Sequence, residues 1–158
     1  MEWSSFASTA LGAVIGVTST LVADRVRWRR DHLDKRQDRQ RQLYADYLTA
    51  LSRTGNEIRE AARSSSLSAP ERGRMAVEAF KSGGAYELRY QVSISAPDEV
   101  EQSSVAAFRA LRNLRDLVES GTAHDEASYR EARQHWDDTF SELRSHIRAD
   151  LGGHPSAS

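Results

Sequence analysis

The chain has 158 residues, no cysteine and a net charge of −1. That length fits one compact domain. The missing cysteines exclude disulfides, thiolate nucleophiles and zinc–thiolate sites, and the near-neutral total gives no bulk attraction to nucleic acid. The charge is placed unevenly. Residues 24–42 carry eight Arg/Lys against four Asp, a local +4, while residues 43–158 sum to −4.

The chain opens with "WSSFASTALGAVIGVTSTLVA", an uncharged run from Trp3 to Ala23. As a helix, 21 residues span about 31 Å, close to the hydrocarbon thickness of a bilayer. Phe6, Leu11, Val14, Ile15, Val17, Leu21 and Val22 favour insertion by roughly 3 kcal/mol together. Ser and Thr residues oppose them, but in a helix their hydroxyls bond back to the preceding turn. Positive charges follow the run instead of preceding it, which argues against a cleaved signal peptide. Residues 1–23 are therefore expected to be a transmembrane segment; the alternatives are a helix buried in a soluble bundle or one lying in the membrane interface. The basic residues all lie on the C-terminal side, so the N-terminus is expected outside and the C-terminal domain in the cytoplasm. Arg25, Arg27, Arg29 and Arg30 are placed to meet anionic lipid headgroups, with Trp3 and Trp28 near the two ends. Ser8, Gly12, Gly16 and Thr20 recur every fourth residue. Such a small-residue ridge lets two membrane helices approach closely, so it is the candidate surface for a homodimer.

Residues 24–42 are polar nearly all round and rich in helix formers, as expected of a solvated, basic juxtamembrane stalk. A heptad register from Val22 puts Arg29, Arg36 and Gln40 on the seam, which excludes a dry coiled coil. Four interleaved Asp residues argue against DNA binding by this segment, and no nucleic-acid partner is expected.

From residue 43 the pattern turns amphipathic. Leu43, Tyr44, Tyr47, Leu48, Leu51 and Ile58 share a helical face that runs to about Arg63. "SSSLSAP" breaks it, and Pro70 suits the first turn of the next helix, which covers "RMAVEAFK" and softens at Gly83-Gly84. The stretch 85–95, "AYELRYQVSIS", is ambiguous. Tyr86, Leu88, Tyr90, Val92 and Ile94 alternate with polar residues, which by itself reads as a strand. No other segment offers a pairing partner, so a helix is expected, with these side chains packed in the interior. Pro97 ends that helix and opens another, with Asp98 and Glu99 favourable in its first turn. Val100, Ala107, Leu111, Leu114 and Val118 mark its buried face, and Gly121 its end. Thr122 is the expected N-cap of the last helix, which Tyr129, Trp136, Phe140, Leu143 and Ile147 line. Residues 152–158 read as a frayed tail.

The expected fold is all-α: a transmembrane helix (1–23), the stalk (24–42), an antiparallel bundle of three to four helices (43–151) and the tail.

Motifs for chemistry are sparse. The chain has no phosphate-binding glycine loop, nucleophile elbow or zinc-protease motif, and no cofactor is expected. Glu131, His135, Glu142 and His146 fall at about 0°, 40°, 20° and 60° around the last helix, one stripe of metal-binding residue types. That stripe faces away from the helix's apolar side, so two exposed Glu–His pairs are the simpler reading. His124-Asp125-Glu126 reads as helix capping and Trp136-Asp137-Asp138 as a core ring beside solvated carboxylates. Tyr86 and Tyr90 with Arg89 form a partner surface if they are not interior.

The stretches "LGAVIGVTSTLVADRVRWRR", "QLYADYLTAL", "GAYELRY" and "SAPDEV", in this order, resemble small single-pass membrane proteins of high-GC actinobacteria that carry no assigned activity. The resemblance implies a membrane-tethered helical domain and brings no functional residues to transfer. The functional expectation is a non-enzymatic scaffold or regulator, tethered at the membrane, that binds a cytoplasmic protein. The alternatives are a soluble all-α oligomer that buries its first helix in the assembly, and a metal-binding helical enzyme using Glu131, His135, Glu142 and His146.

Overall fold

A computed structural model describes residues 35–152. The predicted transmembrane segment, the ridge Ser8, Gly12, Gly16 and Thr20, the arginines Arg25, Arg27, Arg29 and Arg30, and tail residues 153–158 lie outside the described residues. Among the described residues no helix is long and apolar enough to cross a membrane. The chain divides into two units at Arg39/Gln40. The packing described below is that within the unit from Gln40 onward.

Every regular element among the described residues is helical. Helix α1 covers residues 35–63. It is followed by α2 (Ala69–Ser82), α3 (Ala85–Ser95), α4 (Asp98–Glu119) and α5 (Ala127–Gly152). Gly152, expected in the tail, is thus the last residue of α5.

Local chemistry sets the boundaries. Ser68 precedes α2, and the Glu71 carboxylate accepts both its backbone N–H (2.8 Å) and its hydroxyl (2.5 Å). These bonds hold the Glu71 carboxyl below the usual carboxylate range. Pro70 lies in the first turn, where its missing N–H costs nothing. Gly84 adopts φ +73°, a left-handed turn between α2 and α3 that glycine enters without strain. The α4 terminus is a Schellman motif: Gly121 at φ +98°, its N–H on the Val118 carbonyl and the Thr122 N–H on the Leu117 carbonyl. This corrects the expectation that Thr122 caps α5. Its backbone is committed to closing α4, and α5 begins five residues later at Ala127.

The faces predicted from periodicity form the core. Tyr44, Tyr47, Leu51 and Ile58 of α1 are buried, as are Val100, Ala107, Leu111, Leu114 and Val118 of α4 and Tyr129, Trp136, Leu143 and Ile147 of α5. Leu43, Leu48 and Phe140 pack at its edge.

Helix directions follow from paired contacts. In α1 and α5, Tyr44 donates to Asp150 (2.8 Å) while Gly55 lies against Trp136, so the two run antiparallel. In α2 and α4, Gly73 abuts the Glu119 backbone while Phe80 meets Phe108, again antiparallel. Polar groups tie the same helices. Gln40 donates to the same Asp150 oxygen (2.8 Å) as Tyr44, and the Tyr47 hydroxyl shares a 2.9 Å hydrogen bond with Ser104 of α4. The Arg53 guanidinium caps the Gly83 carbonyl (3.0 Å) at the α2–α3 turn.

Candidate functional site

The site is built on α3, whose apolar residues point two ways. Ala85 and Val92 are buried and Leu88 packs at the core edge, so this side seats the helix. Tyr86, Tyr90 and Ile94, spaced four apart, lie on the opposite side and are 49%, 47% and 85% exposed. This corrects the expectation that they are interior. A helix of eleven residues with apolar side chains all round can seat only one side, and the smaller residues fit against its neighbours.

The two tyrosine rings meet edge to face at 5.0 Å, and their hydroxyls are hydrogen bonded at 2.9 Å. That bond raises the Tyr86 pKa above the ordinary phenol range. Between α3 and α4 lies the Arg89 guanidinium, 4.8 Å from the Tyr90 ring centre, 4.9 Å from Phe108 and 5.9 Å from Tyr86. Arg89 forms no ion pair among the described residues, and its Nε is buried without a hydrogen-bond partner. Glu87 is the nearest acidic neighbour acting on Tyr86, one residue along the helix.

The array continues across three helices. Phe108 tilts against Phe80 of α2 at 5.3 Å, and the Arg115 guanidinium of α4 covers Phe80 at 4.7 Å. Arg115 is neutralised by Asp116 and, at 3.8 Å, by Glu119. Rings and guanidinium groups thus alternate along one surface, with a neutralised cation at one end and an unpaired one between two exposed tyrosines at the other. A guanidinium over aromatic faces keeps its in-plane N–H groups directed outward, where they can meet a carboxylate.

Glu131, His135 and Glu142 are exposed on α5 and His146 is half-buried. Among the described residues no group of three or more His, Asp or Glu side chains is placed to hold a metal ion. Nothing on the Glu–His stripe therefore resembles a ligand set drawn from several helices.

The fold and site define an all-helical bundle with an exposed arginine–aromatic face. Compared with protein-family models, curated proteins and solved structures, the chain matches none.

The sequence reading named Tyr86, Tyr90 and Arg89 as a possible partner surface but missed Phe80, Phe108 and Arg115. Phe108 is four residues after Ser104 on the buried side of α4, and its spacing signals core. Its role as floor of the array arises only from the approach of α3.

Proposed function

We propose that this chain is a non-enzymatic binding protein whose bundle presents the α3 face to an acidic amphipathic helix of a partner protein. The observation that supports it is Arg89: a half-buried guanidinium with no ion pair, set against two half-exposed tyrosines, with Ile94 one turn beyond Tyr90 at 85% exposure. Tyrosine and arginine are the residue types that dominate binding energy at protein interfaces, since they bury large rigid areas and retain polar contacts. A partner carboxylate would give Arg89 a charge-assisted hydrogen bond. An apolar partner residue one turn away would cover Tyr90 and Ile94.

The location of this activity is part of the proposal. The uncharged run 3–23 and the arginines after it support a single-pass tether with the bundle in the cytoplasm, anionic lipid at Arg25, Arg27, Arg29 and Arg30, and a dimer through Ser8, Gly12, Gly16 and Thr20. The function is then to hold a partner at the membrane.

Two experiments test the two halves. Carbonate washing of isolated membranes should leave the full-length chain in the pellet; its release would reject the tether. A photoreactive amino acid at Tyr90 should crosslink one partner through an acidic segment, and Arg89→Glu should abolish the adduct. An adduct insensitive to that charge reversal, or obtained equally from a probe at exposed Gln134, would reject the docking face.

A further inference from the structure

A groove runs along the exposed side of α1, and it shares no residue with the α3 face. One open cavity of about 600 Å³ is lined by Leu48, Ser52 and Asn56 of α1 and by Phe140 and Arg144 of α5. A second, of about 420 Å³, takes in Arg59, Arg63 and Ser64. Asn56 and Glu60 line both, so the two are continuous. From Leu48 to Ser64 the helix rises about 24 Å.

The chemistry changes along this length. At one end Leu48 and Phe140 pack at the core edge, and Phe140 is held by its stack on Trp136 at 5.0 Å. They form an apolar floor, with Arg144 exposed beside it. At the other end Arg59 and Arg63 are exposed one turn apart, a like-charge spacing that by itself destabilises a helix. None of these three guanidinium groups forms an ion pair among the described residues. With Arg53, the groove sets four cations against the carboxylates of Glu57 and Glu60. It is therefore net positive, on a body whose residues 43–158 sum to −4.

We infer that this groove docks an acidic peptide segment of a partner protein. Carboxylates of that segment meet Arg144 at one end and Arg59 and Arg63 at the other, in charge-assisted hydrogen bonds. An apolar side chain between them covers Leu48 and Phe140. Glu57 and Glu60 select this occupant over other anions. A bilayer surface or a nucleic-acid strand repeats its negative charge at every position and is repelled by these two carboxylates. A peptide can set a neutral or basic residue opposite each of them.

Phage display of random peptides about 16 residues long, enough to span the groove as a helix, tests this on the purified full chain. The enriched peptides should include a class with net negative charge and at least one large apolar residue. Carrying a fluorescent label, these should bind saturably by anisotropy at fixed ionic strength. Arg144→Glu and Arg59→Glu/Arg63→Glu should each weaken that binding about tenfold or more. All three positions are exposed, so the variants should melt close to the wild type. Arg74→Glu/Arg109→Glu makes the same charge change at exposed positions elsewhere and should leave affinity unchanged, as should Arg89→Glu on the α3 face. Acidic peptides that lose affinity through Arg89→Glu and not through the groove variants belong to α3 and overturn the inference. So does enrichment of neutral or basic peptides alone, or equal weakening by the control pair. Vesicles of phosphatidylglycerol that bind more tightly than the peptides, with the same dependence on Arg59, Arg63 and Arg144, would make the groove a lipid site and overturn the peptide assignment.

Discussion

Gly55 of α1 lies flat against the indole of Trp136 in α5: a Cβ at Gly55 would stand 3.2 Å from both Cζ2 and Nε1. Trp136 is 2% exposed and stacks on Phe140 at 5.0 Å, so it has no room to retreat. In an open helix Gly→Ala would add about 1 kcal/mol. Here overpacking opposes that gain at about 1–3 kcal/mol. Gly55→Ala should therefore lower the melting temperature, and Gly55→Leu should lower it much further. A Gly55→Ala protein that melts above the wild type would show that α1 and α5 do not meet at this distance.

The α4 terminus makes a different glycine prediction. Gly121 holds φ +98° in a backbone turn, and a Cβ added there would meet only the Ala69 side chain, at an ordinary contact distance of 3.6 Å. The cost of Gly121→Ala is thus conformational and amounts to about 1 kcal/mol. Thermal denaturation should show a drop of that size, and Gly121→Asn, which tolerates the left-handed region, should recover part of it.

At α3 the prediction is an absence of effect. Ile94 is 85% exposed, so Ile94→Ser should change stability by no more than about 0.5 kcal/mol. Val92 is fully buried on the opposite side, and Val92→Ser should cost several-fold more. Equal destabilisation by both would return Ile94 to the interior and remove the docking face. Arg89→Met keeps the stem and removes the charge over three rings, which should cost about 1 kcal/mol.

The tyrosines set an alkaline limit. Burial pushes Tyr44 and Tyr47 up to about 12 from an ordinary 10. Above pH 10 the unfolded chain releases these protons while the folded chain retains them. Stability is therefore full below pH 10 and lost as the pH rises toward 12. Unfolding followed by circular dichroism should show a steep loss in that window. Tyr47→Phe removes one titrating group, at the cost of the Ser104 hydrogen bond, and should flatten the loss. In absorbance titration Tyr44 and Tyr47 should ionise only with unfolding.

How much of this was legible in the chain can be argued residue by residue. The faces of α1, α4 and α5 were readable because their apolar residues recur at helical spacing, so one side alone can be buried. Pro70 and Pro97 marked boundaries because proline fixes φ and lacks an N–H, and Gly121 because glycine enters the left-handed turn that ends a helix. Thr122 misled because a cap is defined by geometry: the same residue that reads as the start of α5 is consumed in closing α4. Glu131, His135, Glu142 and His146 formed a stripe by arithmetic alone, since sequence spacing places residues on one helix but brings no ligands from another.

The stretch 85–95 shows the division most clearly. By itself the sequence determined that this segment needs a helix, since an isolated strand leaves its backbone groups unpaired. It did not determine which side faces in. Alternating apolar residues, wound at about 100° per residue, place Tyr86, Tyr90 and Ile94 on one side and Leu88 and Val92 on the other. Both sides are apolar, so composition cannot rank them. The tertiary structure decided: α3 seats Ala85 and Val92 against its neighbours, and the larger tyrosines are left outside over Arg89 and Phe108. The arginine–aromatic face exists because three helices converge on it, a relationship between distant positions that no local pattern encodes.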